Sequence, residues 1–248
     1  MVREGVHARA HAGKTIAVLC LGLIVSLAGP ARAQSAPPAS SADLQKVITE
    51  LNTAASKFTS AQADFSWDQF VAVVQENEIQ TGTIYFERKK GATRMAAYIK
   101  QDNGKDAPKT VIYDGGELNL YEPMIKQLTT VRAGANRGQF ESFLTLGFGG
   151  SGNDLVANWK VSLVGTENMD GVQVAKLDLV PKAQKVLDMF THVTIWVEPD
   201  RGISHKQIFY QPTGDLRTVT YKNIRYNTTL AAEVFQLKPP PGTNHVVK

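Results

Sequence analysis

The chain has 248 residues, 43% of them hydrophobic, with 27 basic against 23 acidic side chains and a single cysteine. That is ample apolar material for a core of its own, while one cysteine excludes a disulfide framework within the chain and a cysteine metal cluster. The only tight basic cluster, "ERKK" from Glu87 to Lys90, is too short to argue for nucleic acid and reads as a solvated strand end.

The N-terminus carries Arg3, Arg9 and Lys14 against Glu4, followed by an uncharged run from Thr15 to Ala28 and then Ala31-Arg32-Ala33. This order of charge, apolar stretch and small-x-small site predicts a secretory signal peptide over residues 1–33, cleaved after Ala33. The run of 14 residues is shorter than the ~20 needed to cross a bilayer as a helix. Cys20 lies inside it, and Leu19 before it is too large for a lipidation site, so the cysteine is expected to leave with the signal. The mature chain then holds 23 basic and 22 acidic residues and is nearly neutral.

Residues 34–41, "QSAPPASS", read as a flexible tether with nothing to bury. Residues 42–248 are expected to form a single domain. Ser40 or Ser41 is placed to cap a helix over about 42–58, where Leu44, Val47, Ile48, Leu51, Ala55 and Phe58 recur at spacings of three and four. Strand candidates follow: Ala63 to Gln75, "QTGTIYFERK", "TRMAAYIKQ", the pair "KTVIYD" and "ELNLYEP" around Gly115-Gly116, and "KQLTTVR". Phe140, Phe143, Leu144 and Phe148 suggest a short helix ending at "GFGGSGND". A second hairpin turns at Asp170-Gly171, "PKAQKVLDMF" (residues 181–190) supplies one or two helical turns, and three more strands precede the tail "AAEVFQLKPPPGTNHVVK". About ten antiparallel strands, one long helix and short helical pieces make the fold class α+β.

Motifs for chemistry are thin. His192, His205 and His245 fall in no metal spacing. "GGSGN" around Ser151 lacks the second glycine of a nucleophile elbow and reads as a loop. Glu76 and Glu78 share a parity near an expected turn, where solvation explains them. No nucleophile has a base beside it, so the chain is expected to be neither enzyme nor metalloprotein and to carry no cofactor.

The stretch "TVIYDGGELNLYEPMIKQ", residues 110–127, poses the functional question. Val111 and Tyr113 stand beside Ile112, and Leu118 and Leu120 beside Tyr121, so both faces of this hairpin are apolar. A half-buried strand alternates instead. Either both faces are packed core, or one of them borders an apolar cavity.

Four stretches resemble the LolA-like family of periplasmic outer-membrane lipoprotein carriers. "QTGTIYFERK" is similar to the family's glycine, alternating strand and arginine, with Arg88 six residues after Gly82. "VIYDGGELNLYEPMIKQLT" is similar to its D-G-x-x-L-W-x-Y-x-P segment. The late strands "VTIWVEPDRGISHKQIFYQPTGDLRTVTYKNIRYN" and the closing "VFQLKPPPGTNHV" complete the match. The chain departs at Lys89, where the family has proline, at Ala96 and Ala97, where it has an aromatic pair, and at Asn119, where it has tryptophan.

The resemblance implies an unclosed, strongly curved antiparallel β-barrel, with the N-terminal amphipathic helix and short helices as a lid over an apolar cavity. It implies a monomeric periplasmic carrier for acylated lipoproteins, loaded by an inner-membrane ABC lipoprotein-releasing complex and unloaded to an outer-membrane acceptor. A lipid or lipoprotein sensor of the same fold, regulating a membrane partner, is the alternative. Arg88 is the implied lid latch, since five donors let a guanidinium hold several carbonyls at once; read without the family it is a strand-end charge. Candidate acyl-chain residues are Phe65, Trp67, Ile84, Phe86, Met95, Tyr98, Leu118 and Leu120, with Leu187, Met189 and Phe190 as lid candidates. Parity leaves open which of these line a cavity and which are core.

Overall fold

The computed structural model describes residues 40–89, 91–134, 141, 143 and 145–248. The expected signal peptide with Cys20, the tether up to residue 39, Lys90, Phe140 and Leu144 lie outside the described residues.

Ser40 caps the first helix, α1 (Ser41–Lys57). Its hydroxyl accepts from the Asp43 amide at 3.2 Å, and its own amide donates to the Asp43 carboxylate at 3.0 Å, a reciprocal capping box. Of the predicted stripe Val47, Ile48, Leu51 and Ala55 are buried and Leu44 is half-buried, Ala54 is buried beside them, and the helix stops where Phe58 turns extended and buries its ring.

The remaining chain builds one twelve-stranded sheet. Its strands are β1 (Ser60–Val71), β2 (Glu76–Lys89), β3 (Ala92–Asp102), β4 (Lys105–Asp114), β5 (Glu117–Glu122), β6 (Gln127–Arg132), β7 (Trp159–Met169), β8 (Val172–Pro181), β9 (His192–Glu198), β10 (Ile203–Tyr210), β11 (Leu216–Tyr226) and β12 (Asn244–Val247). The spatial order is β12-β6-β5-β4-β3-β2-β1-β11-β10-β9-β8-β7. β1 and β11 join the two meanders, β7 and β12 are the free edges, and the sheet is curved and unclosed. All pairings are antiparallel except β12 on β6.

Turn chemistry fixes the register. Gly115-Gly116 and Asp170-Gly171 both have positive φ at each central residue, as a two-residue turn between twisted strands requires. Asn103-Gly104 makes a third such turn. A short helix, α2 (Gly152–Asn158), which the sequence reading did not anticipate, follows Ser151; the Ser151 hydroxyl caps it by accepting from the Asp154 amide at 3.0 Å. The expected helical turn in residues 181–190 is α3 (Gln184–Leu187).

Both faces of the β4–β5 hairpin are apolar because both are covered. Val111, Tyr113 and Leu118 face the main core, with α1, Phe143, Leu146 and Phe148 on that side. Ile112 faces the other way, where Ala96, Tyr85 and Tyr98 meet Leu230, Val234, Phe235 and Leu237. That second cover is the chain after β11, which crosses the outer face, makes a 3₁₀ turn at Ala232–Phe235 and returns as β12 beside β6.

Candidate functional site: an apolar cavity with an arginine at each end

Seven consecutive strands of the sheet, from β5 through β1 to β10, turn one parity of side chains toward the same space. Phe65 and Trp67 come from β1, Ile84 and Phe86 from β2, Met95, Ala97 and Ile99 from β3, Val111 from β4 and Leu118 from β5. Val219 and Tyr221 of β11 and Phe209 of β10 complete the wall, and Phe143, Leu146 and Phe148 cover it. Together they enclose a cavity of about 280 Å³. An apolar space of that size is at the small end of ligand sites. Ala97 stands where a larger side chain would fill part of it.

The cover is held by aromatic contacts. Phe86 and Phe148 stack at 4.2 Å, Tyr221 meets Phe148 edge-on at 4.8 Å, and Phe143 lies 5.3 and 5.4 Å from Phe190 and Phe209. One polar chain crosses this wall. The Tyr221 hydroxyl donates to Gln207 Oε1 at 3.3 Å, and Gln207 Nε2 donates to the Leu146 carbonyl at 2.6 Å. Burial pushes the Tyr221 phenol well above its ordinary pKa.

Arg88 extends the cavity-facing parity of β2 two residues beyond Phe86. Its Nη1 donates to the Ala55 carbonyl in the last turn of α1 at 2.6 Å, and its Nη2 donates to the Gly149 carbonyl. The guanidinium also lies 5.5 Å from the Phe58 ring centre. One side chain thus ties α1 and the segment before α2 to the sheet. That segment is fixed further by the Ser204 amide, which donates to the Gly147 carbonyl at 2.7 Å, and by the Gly149 amide, which donates to the Gly202 carbonyl at 3.2 Å.

Six of the eight sequence-picked cavity residues border the space: Phe65, Trp67, Ile84, Phe86, Met95 and Leu118. Tyr98 lies on the outer face, its hydroxyl donating to the Val234 carbonyl at 2.7 Å. Leu120 is half-buried beside Val111 and does not line the cavity. Phe190 is buried against Phe143 and Phe209, Leu187 is half-buried and Met189 is 53% exposed. The bonds of Arg88 go to α1 and Gly149, not to residues 187–190. As cavity residues, Phe143, Leu146, Phe148 and those of β10 and β11 were missed from sequence. The signal was Arg217-x-Val219-x-Tyr221, a charged residue on an otherwise apolar parity.

No family model matches the chain. The outer-membrane lipoprotein carrier protein of Methylococcus capsulatus (strain ATCC 33009 / NCIMB 11132 / Bath) is 26% identical over 185 residues, 74% of this chain and 79% of that protein. The chain resembles the LolA-like lipoprotein carriers. Two solved structures share its fold. The crystal structure of MucB superposes with a TM-score of 0.52 at 16% identity, over 84% of this chain and 66%, just under two thirds, of MucB. An uncharacterized conserved protein from Thermus thermophilus gives 0.52 at 11% identity, over 83% of this chain and 99% of its own. The large curved, unclosed antiparallel sheet fits the LolA-like unclosed barrel.

Proposed function

We propose that the protein is a periplasmic carrier that shields the acyl chains of lipoproteins in the cavity between sheet and cover. It receives them from an inner-membrane ABC lipoprotein-releasing complex and passes them to an outer-membrane acceptor, with Arg88 as the latch of the cover. The observation that carries the reading is the pairing of a hollow apolar interior with a cover tied by two carbonyl bonds from one arginine. Resemblance to a lipoprotein carrier in sequence supports it.

The energetics suit reversible binding. Burying an acyl chain gains ~0.8 kcal/mol per methylene, so the roughly nine methylene-sized groups that the resting cavity holds, at ~30 Å³ each, contribute on the order of 7 kcal/mol. Opening the cover breaks two charged hydrogen bonds of ~1.5–3 kcal/mol each. The chain gain and the latch are therefore comparable in size, which lets cargo open the cover and the latch drive cargo out.

The test is native mass spectrometry of the protein recovered from the periplasm without detergent. Wild type is expected to carry an acylated lipoprotein, and Arg88→Leu to retain it when acceptor is added. Ala97→Phe, which fills the cavity, is expected to emerge empty. Free phospholipid without lipoprotein would favour the lipid-sensor reading, and a protein that neither carries nor accepts any acylated molecule would end both.

A further inference from the structure

The inner wall of the cavity is apolar, but its rim at the end away from Arg88 is not. Arg217 of β11 lies across from Gln69 of β1. Its Nε donates to Gln69 Oε1 at 2.9 Å, and its guanidinium sits 4.6 Å above the Trp67 ring. Arg217 and Trp67 line both the cavity and a more open polar recess of about 370 Å³ beside it. The side chain is therefore fixed at the point where apolar interior meets solvent.

Arg217 differs from the other well-placed arginines. Arg94 pairs with Glu87 at 2.6 Å and Arg201 with Glu198 at 2.5 Å. Arg217 has no carboxylate at ion-pair distance among the described residues. Its Nε proton is used by Gln69, and the four on its Nη nitrogens bond to no described protein group. Glu78 borders the same recess but is exposed and accepts from Gln80 at 2.8 Å. Burial alone moves the Arg217 pKa downward, the mark of a cation desolvated without a counter-ion. Holding such a group half-buried costs stability unless something acts on it in return.

We propose that Arg217 receives the anionic head, a carboxylate or a phosphate, of a single-chain amphiphile whose chain lies in the cavity. Planar forked donors suit both heads, and the stacked Trp67 holds the fork in place. A volume of about 280 Å³ fits one medium-length chain rather than several. The inference rests on reading the cavity as an acyl-chain site, and it adds a class of ligand that is smaller than a lipoprotein and carries charge.

The experiment is calorimetric titration of the purified protein with laurate, dodecyl phosphate and dodecanol, each below its micelle concentration. The two anions are expected to bind about tenfold tighter than the neutral alcohol, the factor that ~1.4 kcal/mol of charged hydrogen bonding supplies. Arg217→Gln should bring both to the level of dodecanol, and Arg217→Lys should restore part of the gap. Preference for one anion over the other identifies the head and supports the proposal either way. Equal binding of all three, or an undiminished anion preference in Arg217→Gln, overturns it while leaving the cavity reading intact. Failure of every chain to bind overturns both. The wild-type ratio decides even where a variant does not fold.

Discussion

Gly82 shows how little slack the cavity strands have. A β-carbon there would sit 2.1 Å from the Tyr98 carbonyl oxygen, at the register shift where β2 and β3 part step. Backbone cannot swing aside as a side chain can. Gly82→Ala is expected to cost about 1–3 kcal/mol, the usual range for overpacking, read as a lower urea midpoint. Tyr221 gives a different residue-scale test. Burial raises its phenol pKa, so the folded protein keeps that proton after the unfolded chain has lost it. Above about pH 10, the ordinary tyrosine pKa, the unfolded state binds fewer protons, and stability must fall as pH rises. Tyr221→Phe is expected to flatten that alkaline decline. Its cost at neutral pH is about 1 kcal/mol for the bond to Gln207, so urea curves for the two proteins at neutral and alkaline pH should converge.

At the scale of elements, the outer crossing of residues 230–237 explains what the hairpin pattern could not. Phe235 is buried over Ala96 and Ile112, and Arg94 stacks on its ring at 4.1 Å. Phe235→Ala is expected to cost about 3–5 kcal/mol, with hydrogen exchange rising first in the tail and β12 rather than in β1 or β2. Periodicity and turn residues made α1, the strand series and the Gly115-Gly116 turn legible in the sequence, because each is set by neighbours a few positions apart. The crossing was not legible. A proline-rich tail carries no period, and β12 is four residues long and pairs parallel with a strand more than a hundred positions earlier. The same limit separated Phe65 and Leu118, which reach the cavity, from Tyr98, which does not. Parity puts Tyr98 opposite Ala97, but only the fold says which face is hollow. The resemblance singled out Arg88, but the partners it bonds, Ala55 and Gly149, contribute only backbone oxygen and leave no mark on the sequence.

For the whole molecule, the resting cavity and the proposed cargo differ in size. About 280 Å³ holds one medium-length chain, so a lipoprotein bearing several chains requires the cover to move away from the sheet. The cover is jointed where α1 meets α2. Asn52 Oδ1 accepts from the Asn153 amide at 2.9 Å, and Asn52 Nδ2 donates to Asn153 Oδ1 at 3.1 Å, with the Ile48 backbone pressed against Gly152. Replacing both asparagines by cysteine places two thiols at this contact in a chain whose only native cysteine, Cys20, lies in the expected signal. If α1 and α2 must part for loading, the oxidised Asn52→Cys/Asn153→Cys protein is expected to bind a single-chain amphiphile as wild type does and to refuse an acylated lipoprotein. Reduction should restore lipoprotein binding. If the oxidised protein loads lipoprotein normally, α1 and α2 move as one piece. The opening would then lie along the Arg88 contacts alone.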